Sequence, residues 1–253
     1  MMGGLHIEIA IMSMIGSWLT GSGWTDILVD AGVTSPGRAE SLLSCSHVKR
    51  TTYAHQVTVA ALVILEGHTH KSREICSEEP YLDFDEWCTN RTEESVQFLF
   101  WSITIELDVL LLAYSLSPRE SNFIKYKRVL VDICPWMFAL DHTNYARWLP
   151  VFVKTLQELE IHHHSINEEF MKGKFVSMKT NRSFSAIADD QLHKQSNKKI
   201  KEIGGAIGLL NNPTALLKWT VGGPDIVKMI SDLDLEKIRN LLRKDSESIL
   251  LLL

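Results

Sequence analysis

Apolar residues recur along this chain mostly at helical spacing. Leu5, Ile9, Met12 and Leu19 lie close to one stripe, and Gly21 and Gly23 then close the segment. The pattern predicts a short helix from Trp24 to Ala31, stopped by Gly32. Ser35-Pro36 supplies an N-cap residue and a first-turn proline for the next helix. Tyr53 to Leu65 repeats apolar positions and closes at Gly67. From Gly67 to Asp83 the chain is charged, contains Pro80 and shows no apolar period, which predicts a surface loop.

A long apolar segment, Val96 to Leu116, predicts a buried helix ending near Pro118. Its length would also suit a membrane span. Glu106 and Asp108 sit at its middle, however, where an Asp costs about 2.5–3.5 kcal/mol on an insertion scale. A core helix, with no membrane partner, is the expectation. Helices from Glu120 to Ala139 and from Thr143 to Ile161 follow, with Pro135 and Pro150 expected to kink or delimit them. Phe175 to Met178 and Phe184 to Ile187 read as short β segments around a turn at 180–183. A polar helix from Asp189 to Ile203 then stops at Gly204-Gly205, read as a C-cap and tight turn. Asn212-Pro213 opens a further helix, Gly222-Gly223-Pro224 breaks it, and an amphipathic helix begins near Asp225. The expected fold class is mainly α: a helical bundle-like array with a small β element near residues 175–187. It is read as a single helical domain, 1–253.

Composition narrows this picture only a little. The 253 residues are 45% hydrophobic and 23% charged, as in ordinary globular chains. The cysteines, Cys45, Cys76, Cys88 and Cys134, form no C-x-x-C pair, so a zinc ribbon or redox motif is not expected. Scattered thiols and the lack of a signal-peptide pattern at the N-terminus suggest an intracellular protein of the nucleus or cytoplasm.

Charge changes more. The net value of -5 hides a basic stretch. Residues 172–201 hold eight Lys or Arg against Asp189 and Asp190, a net of +6. Lys179, Arg182, Lys194, Lys198, Lys199 and Lys201 are therefore candidate contacts to a nucleic-acid backbone. A solubilising surface would have the same composition.

Within this stretch Asp190, His193, Lys194 and Asn197 fall at i, i+3, i+4 and i+7, hence on one helix face. Carboxylate and imidazole there could bind a divalent metal, although a solvated face has the same pattern. Asp190 and His193 are the metal candidates. Together with Asp141 they are the catalytic candidates. Asp141 could equally cap the helix that follows, with Tyr145, Arg147 and Trp148 packing an interhelical joint. His162-His163-His164 cannot converge on one ion in regular helix, and is read as a helix end. His6 and His55 are read as satisfied core histidines on apolar helices.

Several strings together resemble a large group of uncharacterised animal proteins that occur in many similar copies and look like products of mobile elements. They are GGLHIE (Gly3–Glu8), SGWTDIL (Ser22–Leu28), HVKRTTYAHQVTVAAL (His47–Leu62) and ALDHTNYARWLPV (Ala139–Val151). FSAIADDQLHKQSNKKIKEIGGAIGL (Phe184–Leu209) and NPTALLKW…GGP (Asn212–Pro224) complete the set. The resemblance spans nearly the whole chain in order. It implies a transposase-like origin, and a chain that is a truncated part of a larger domain. The group's polar helix reads D-Q-x-H-E-Q-x-N. Asp190, Gln191, His193, Gln195 and Asn197 match it, while Lys194 stands where the group has Glu. If that Glu belongs to an acidic metal site, this chain carries a cation in place of a ligand, and two-metal phosphoryl transfer would be lost. The implied function is a degenerate, catalytically inactive mobile-element protein with residual nucleic-acid binding and no cofactor. The alternatives are a helical scaffold or protein-interaction protein and a metal-dependent nuclease, which alone would need a divalent metal.

Overall fold

A computed structural model describes residues 3–76, 82–178, 180 and 184–206. Among them are eleven helices and one two-stranded sheet, so the chain is mainly α with a small β element. The chain divides into two compact units, Met1–Asp190 and Gln191–Leu253.

In the first unit, α1 (Gly4–Leu19) is the innermost helix. Nine of its sixteen residues are buried, among them Ile7, Ile11, Met12 and Ile15 at 0% exposure. The single stripe expected from Leu5, Ile9, Met12 and Leu19 is therefore too narrow, because partners surround the helix. Those partners are α3 (Pro36–Leu43), α4 (Val48–Cys76), α6 (Val96–Arg119) and α7 (Phe123–Ala139). Burying each large apolar side chain contributes about 1.5–3 kcal/mol. The bend between α1 and α2 (Trp24–Asp30) uses Gly21 and Gly23, at φ 76° and 80°. Such a left-handed backbone suits glycine. Gly32, at φ 69°, closes α2 as its sequence position predicts.

Several boundaries differ from expectation. α4 does not stop at Gly67 but continues to Cys76, so residues 67–76 are helix rather than loop. α5 (Phe84–Glu94) was not foreseen. It is held by one deeply buried anchor, Trp87, and a single anchor generates no period. Asp83 with Glu86 three residues later is the capping-box pattern that marks its start.

α6 is capped by Ser95, whose Oγ accepts from the Phe98 N–H at 3.2 Å. It is long and apolar enough to cross a membrane by length and composition. Here it packs against α1, α4, α5 and α7, burying Thr104, Leu107, Asp108, Leu111 and Tyr114 and leaving Glu106 exposed. α7 starts at Phe123, after the Asn122 cap, rather than at Glu120, and retains Pro135 inside it. α8 (Thr143–Gln157) likewise contains Pro150. The two prolines thus lie within helices and do not end them. α9 (Leu159–His162) and α10 (His164–Met171) replace the expected continuation to Ile161. The His triplet marks their junction.

β1 (Ser177–Met178) and β2 (Ala186–Ile187) pair antiparallel, Ser177 opposite Ile187 and Met178 opposite Ala186. They lie within the expected β segments, and Ala186 is fully buried. α11 (Asp189–Ala206) follows and runs through Gly204 and Gly205, which do not stop it. The helices expected around Asn212 and from Asp225, and the turn at 181–183, lie outside the described residues.

Candidate functional site

The first turn of α1 gathers a cluster of polar contacts from distant parts of the chain. Four N–H groups at a helix start lack intrahelical partners, and local capping is absent here because Gly3 has no side chain to offer. The cap comes instead from Asp190, far along the chain. Its Oδ1 accepts from the Leu5 N–H at 3.0 Å and its Oδ2 from the His6 N–H at 3.2 Å. The His6 ring nitrogen Nδ1 lies 2.7 Å from the same Oδ2. Gly3 and Gly4 make room for this approach. A Cβ at Gly3 would strike the Asp190 carboxylate, and one at Gly4 would come within 2.8 Å of the Ala188 Cβ.

Tyrosines fasten the same turn from two other helices. Tyr114 Oη donates to the Gly4 carbonyl at 2.8 Å, and Tyr145 Oη donates to the His6 carbonyl at 3.1 Å. Tyr145 thus makes the expected interhelical joint, joining α8 to α1. Arg147 and Trp148 are exposed and do not take part. One turn further on, Ser115 Oγ donates to Glu8 Oε1 at 2.7 Å.

The two carboxylates are pushed in opposite directions. Burial raises Glu8, only partly offset by the Ser115 bond and the Arg119 charge, and the Asp190 charge adds to the rise. Burial also opposes ionisation of Asp190, but the Leu5 and His6 N–H bonds and the His6 ring outweigh it and hold it below the usual carboxylate range. Burial lifts Tyr126 to about 12. Such divergence suits acid–base chemistry, and it also results from plain helix capping.

The remaining sequence candidates are dispersed. Asp141 sits at φ 55° after α7, exposed, its carbonyl accepting from Thr143 N–H at 2.9 Å. The N-cap of α8 is His142 and no side chain caps it, so the expected Asp141 cap does not form. His193 is exposed on α11, in the second unit. Among the described residues no three His, Cys, Asp or Glu side chains gather as a metal site. Lys194, Lys198 and Lys199 are exposed on α11, while the positions of Lys179 and Arg182 lie outside the described residues. Lys172 and Lys174 both reach Glu169, which offsets part of the basic excess.

Of the two histidines expected as satisfied core residues, His6 is exposed, and His55 is in the core but its ring nitrogens lack a hydrogen-bond partner among the described residues. His55 Nδ1 lies 2.8 Å from Asp108 Oδ1, and both side chains are fully buried. The contact is close yet poorly aligned for a hydrogen bond, leaving all four polar atoms without a well-directed partner. Burial raises Asp108, and the neighbouring imidazole opposes that rise. The signal available in sequence was Asp108 itself, an acid on the inward face of an apolar helix.

This architecture defines a mainly α-helical protein whose central helix is capped by a distant carboxylate. A family model described as a domain of unknown function (DUF8702) matches residues 67–249, and the chain belongs to that family. No curated protein and no solved structure matches it. The match takes in Asp190 but not α1, the helix that Asp190 caps.

Proposed function

We propose that this chain is a transposase-like protein of mobile-element origin, catalytically inactive, that retains nucleic-acid binding through its basic segment. The observation that carries the inactive assignment is the engagement of Asp190. Of the roughly four lone-pair sites of a carboxylate, two take backbone N–H groups and a third faces the His6 ring. Little capacity is left to hold a divalent ion. Lys194, next to His193, adds a positive charge where the resembling group carries Glu.

Nucleic-acid binding rests on α11. Positions 194, 198 and 201 recur along one helix face, and Lys199 adds a further exposed cation beside it. Such contacts are to phosphates and read no sequence.

Filter retention of labelled DNA and RNA between about 50 and 200 mM salt tests the reading. Retention should fall steeply with salt and depend little on sequence. Replacing Lys194, Lys198 and Lys199 together with Gln should weaken binding and flatten the salt slope by about 2–3. Retention absent at every salt concentration overturns the binding half and favours the helical interaction protein. Metal-dependent cleavage by the unaltered chain overturns the inactive half.

A further inference from the structure

A cavity of about 640 Å³ opens between α2, α4, α5 and the start of α6. That volume is in the range of small-molecule sites. Its wall carries four aromatic side chains, Trp24, Trp87, Phe98 and Trp101. Among its described lining residues the charged ones are Glu66 and Arg91. The charges are not matched across the cavity. Arg91 Nη1 is taken by Glu94 at 2.9 Å, one turn along its own helix. Among the described residues Glu66 has only the neutral Ser102 hydroxyl, at 3.5 Å. Burial raises Glu66 above the ordinary carboxylate range, as expected for an anion without a counter-charge.

The wall is also pre-formed. Trp24 Nε1 donates to Thr58 Oγ1 at 2.8 Å, and the indole stacks on His55 with centroids 5.1 Å apart. His55 in turn rests on Asp108, so the floor is backed by a buried imidazole–carboxyl contact. Trp87 stands edge-on to Phe98, at 5.5 Å. Aromatic faces attract cations, and a carboxylate without a counter-charge adds to that attraction.

We propose that this cavity is a binding site for a small organic cation, an ammonium group on an aromatic or aliphatic body, with Glu66 taking the charge and the aromatic wall taking the body. A neutral apolar molecule would leave Glu66 without a counter-charge, and an organic anion would meet it directly.

Three probes of one shape separate these cases: 4-phenylbutylamine, 4-phenylbutanol and 4-phenylbutyrate, titrated into the full chain by calorimetry and tryptophan fluorescence. The amine should bind about fivefold or more tighter than the alcohol, and the butyrate weakest. Glu66→Gln should bring the amine down to the alcohol and leave the alcohol unchanged. Ala61→Trp, placing an indole in the cavity, should abolish binding of all three. Equal affinity for amine and alcohol overturns the proposal. So does tighter binding of butyrate, an amine advantage that survives Glu66→Gln, or no saturable binding of any probe.

Discussion

Single side chains carry opposing electrostatic stakes. Asp108 and His55 are each fully buried, with Asp108 Oδ1 2.8 Å from His55 Nδ1. Asp108→Leu alone strands the imidazole and His55→Leu alone strands the carboxyl, so each should cost about 3–5 kcal/mol in urea unfolding. The double substitution should recover most of that loss, because two apolar groups need no partner. Asp190 makes a second case. Asp190→Ala removes the cap of α1 and should cost about 1–2 kcal/mol, whereas Asp190→Asn keeps much of the cap. The two carboxylates at this turn also set opposite pH slopes. Asp190 is held low when folded, so its contribution is present above the ordinary Asp value of about 3.9 and is lost as pH falls through the folded value. Glu8 is held high, so its effect runs the other way. Stability falls as pH rises from the ordinary Glu value of about 4.3 through the raised folded value. Urea midpoints from pH 3 to 7 should therefore lose the acid-side decline in Asp190→Asn and the rising-side decline in Glu8→Gln.

At the scale of the element, two glycines inside helices make opposite demands. A Cβ at Gly16 would run into the Leu43 backbone, 2.7 Å from its carbonyl carbon and 2.9 Å from its Cα. Backbone cannot rotate away, so Gly16→Ala should separate α1 from α3 and cost about 1–3 kcal/mol, despite alanine's better helix propensity. At Gly67 nothing lies within 4 Å, so Gly67→Ala should stabilise α4 by about 1 kcal/mol. Thermal melts of the two variants should move in opposite directions. The same residue explains why α4 was read too short. Glycine signals a C-cap only where the chain beyond it leaves the helix, and His68 to Cys76 can continue one. α1, α2, α3, α6 and the β segments were legible because apolar period, glycine and proline signals agree there. α5 was not, because Trp87 alone anchors it. The engagement of Asp190 was beyond any spacing argument, since it meets His6 across 184 positions of sequence. Only the face it shares with His193 could be read, and that face does not reveal what a carboxylate touches.

For the molecule as a whole, the decisive feature is the place of α1 in the core. The family match begins at residue 67, inside α4, yet the most deeply buried helix lies before it. α6 packs directly on α1 and α7 touches it, and Leu107, Leu111 and Leu130, each at 0–1% exposure, belong to the same apolar core as the buried face of α1, so removing α1 would open that core. Opening a core of this kind costs about 2–5 kcal/mol for each large side chain truncated, and here a whole helix is withdrawn. A typical domain is stable by only about 5–15 kcal/mol. A fragment of residues 67–253 should therefore keep much of its far-ultraviolet helical signal, which local propensity supports, but lose fixed packing. It should bind a hydrophobic dye and unfold over a broad, shallow denaturant range, while the full chain unfolds in one cooperative transition. A sharp transition in the fragment, with a slope scaled to its length, would mean that the matched region folds without α1. In that event the Asp190 cap joins two independently stable parts and does not complete one core.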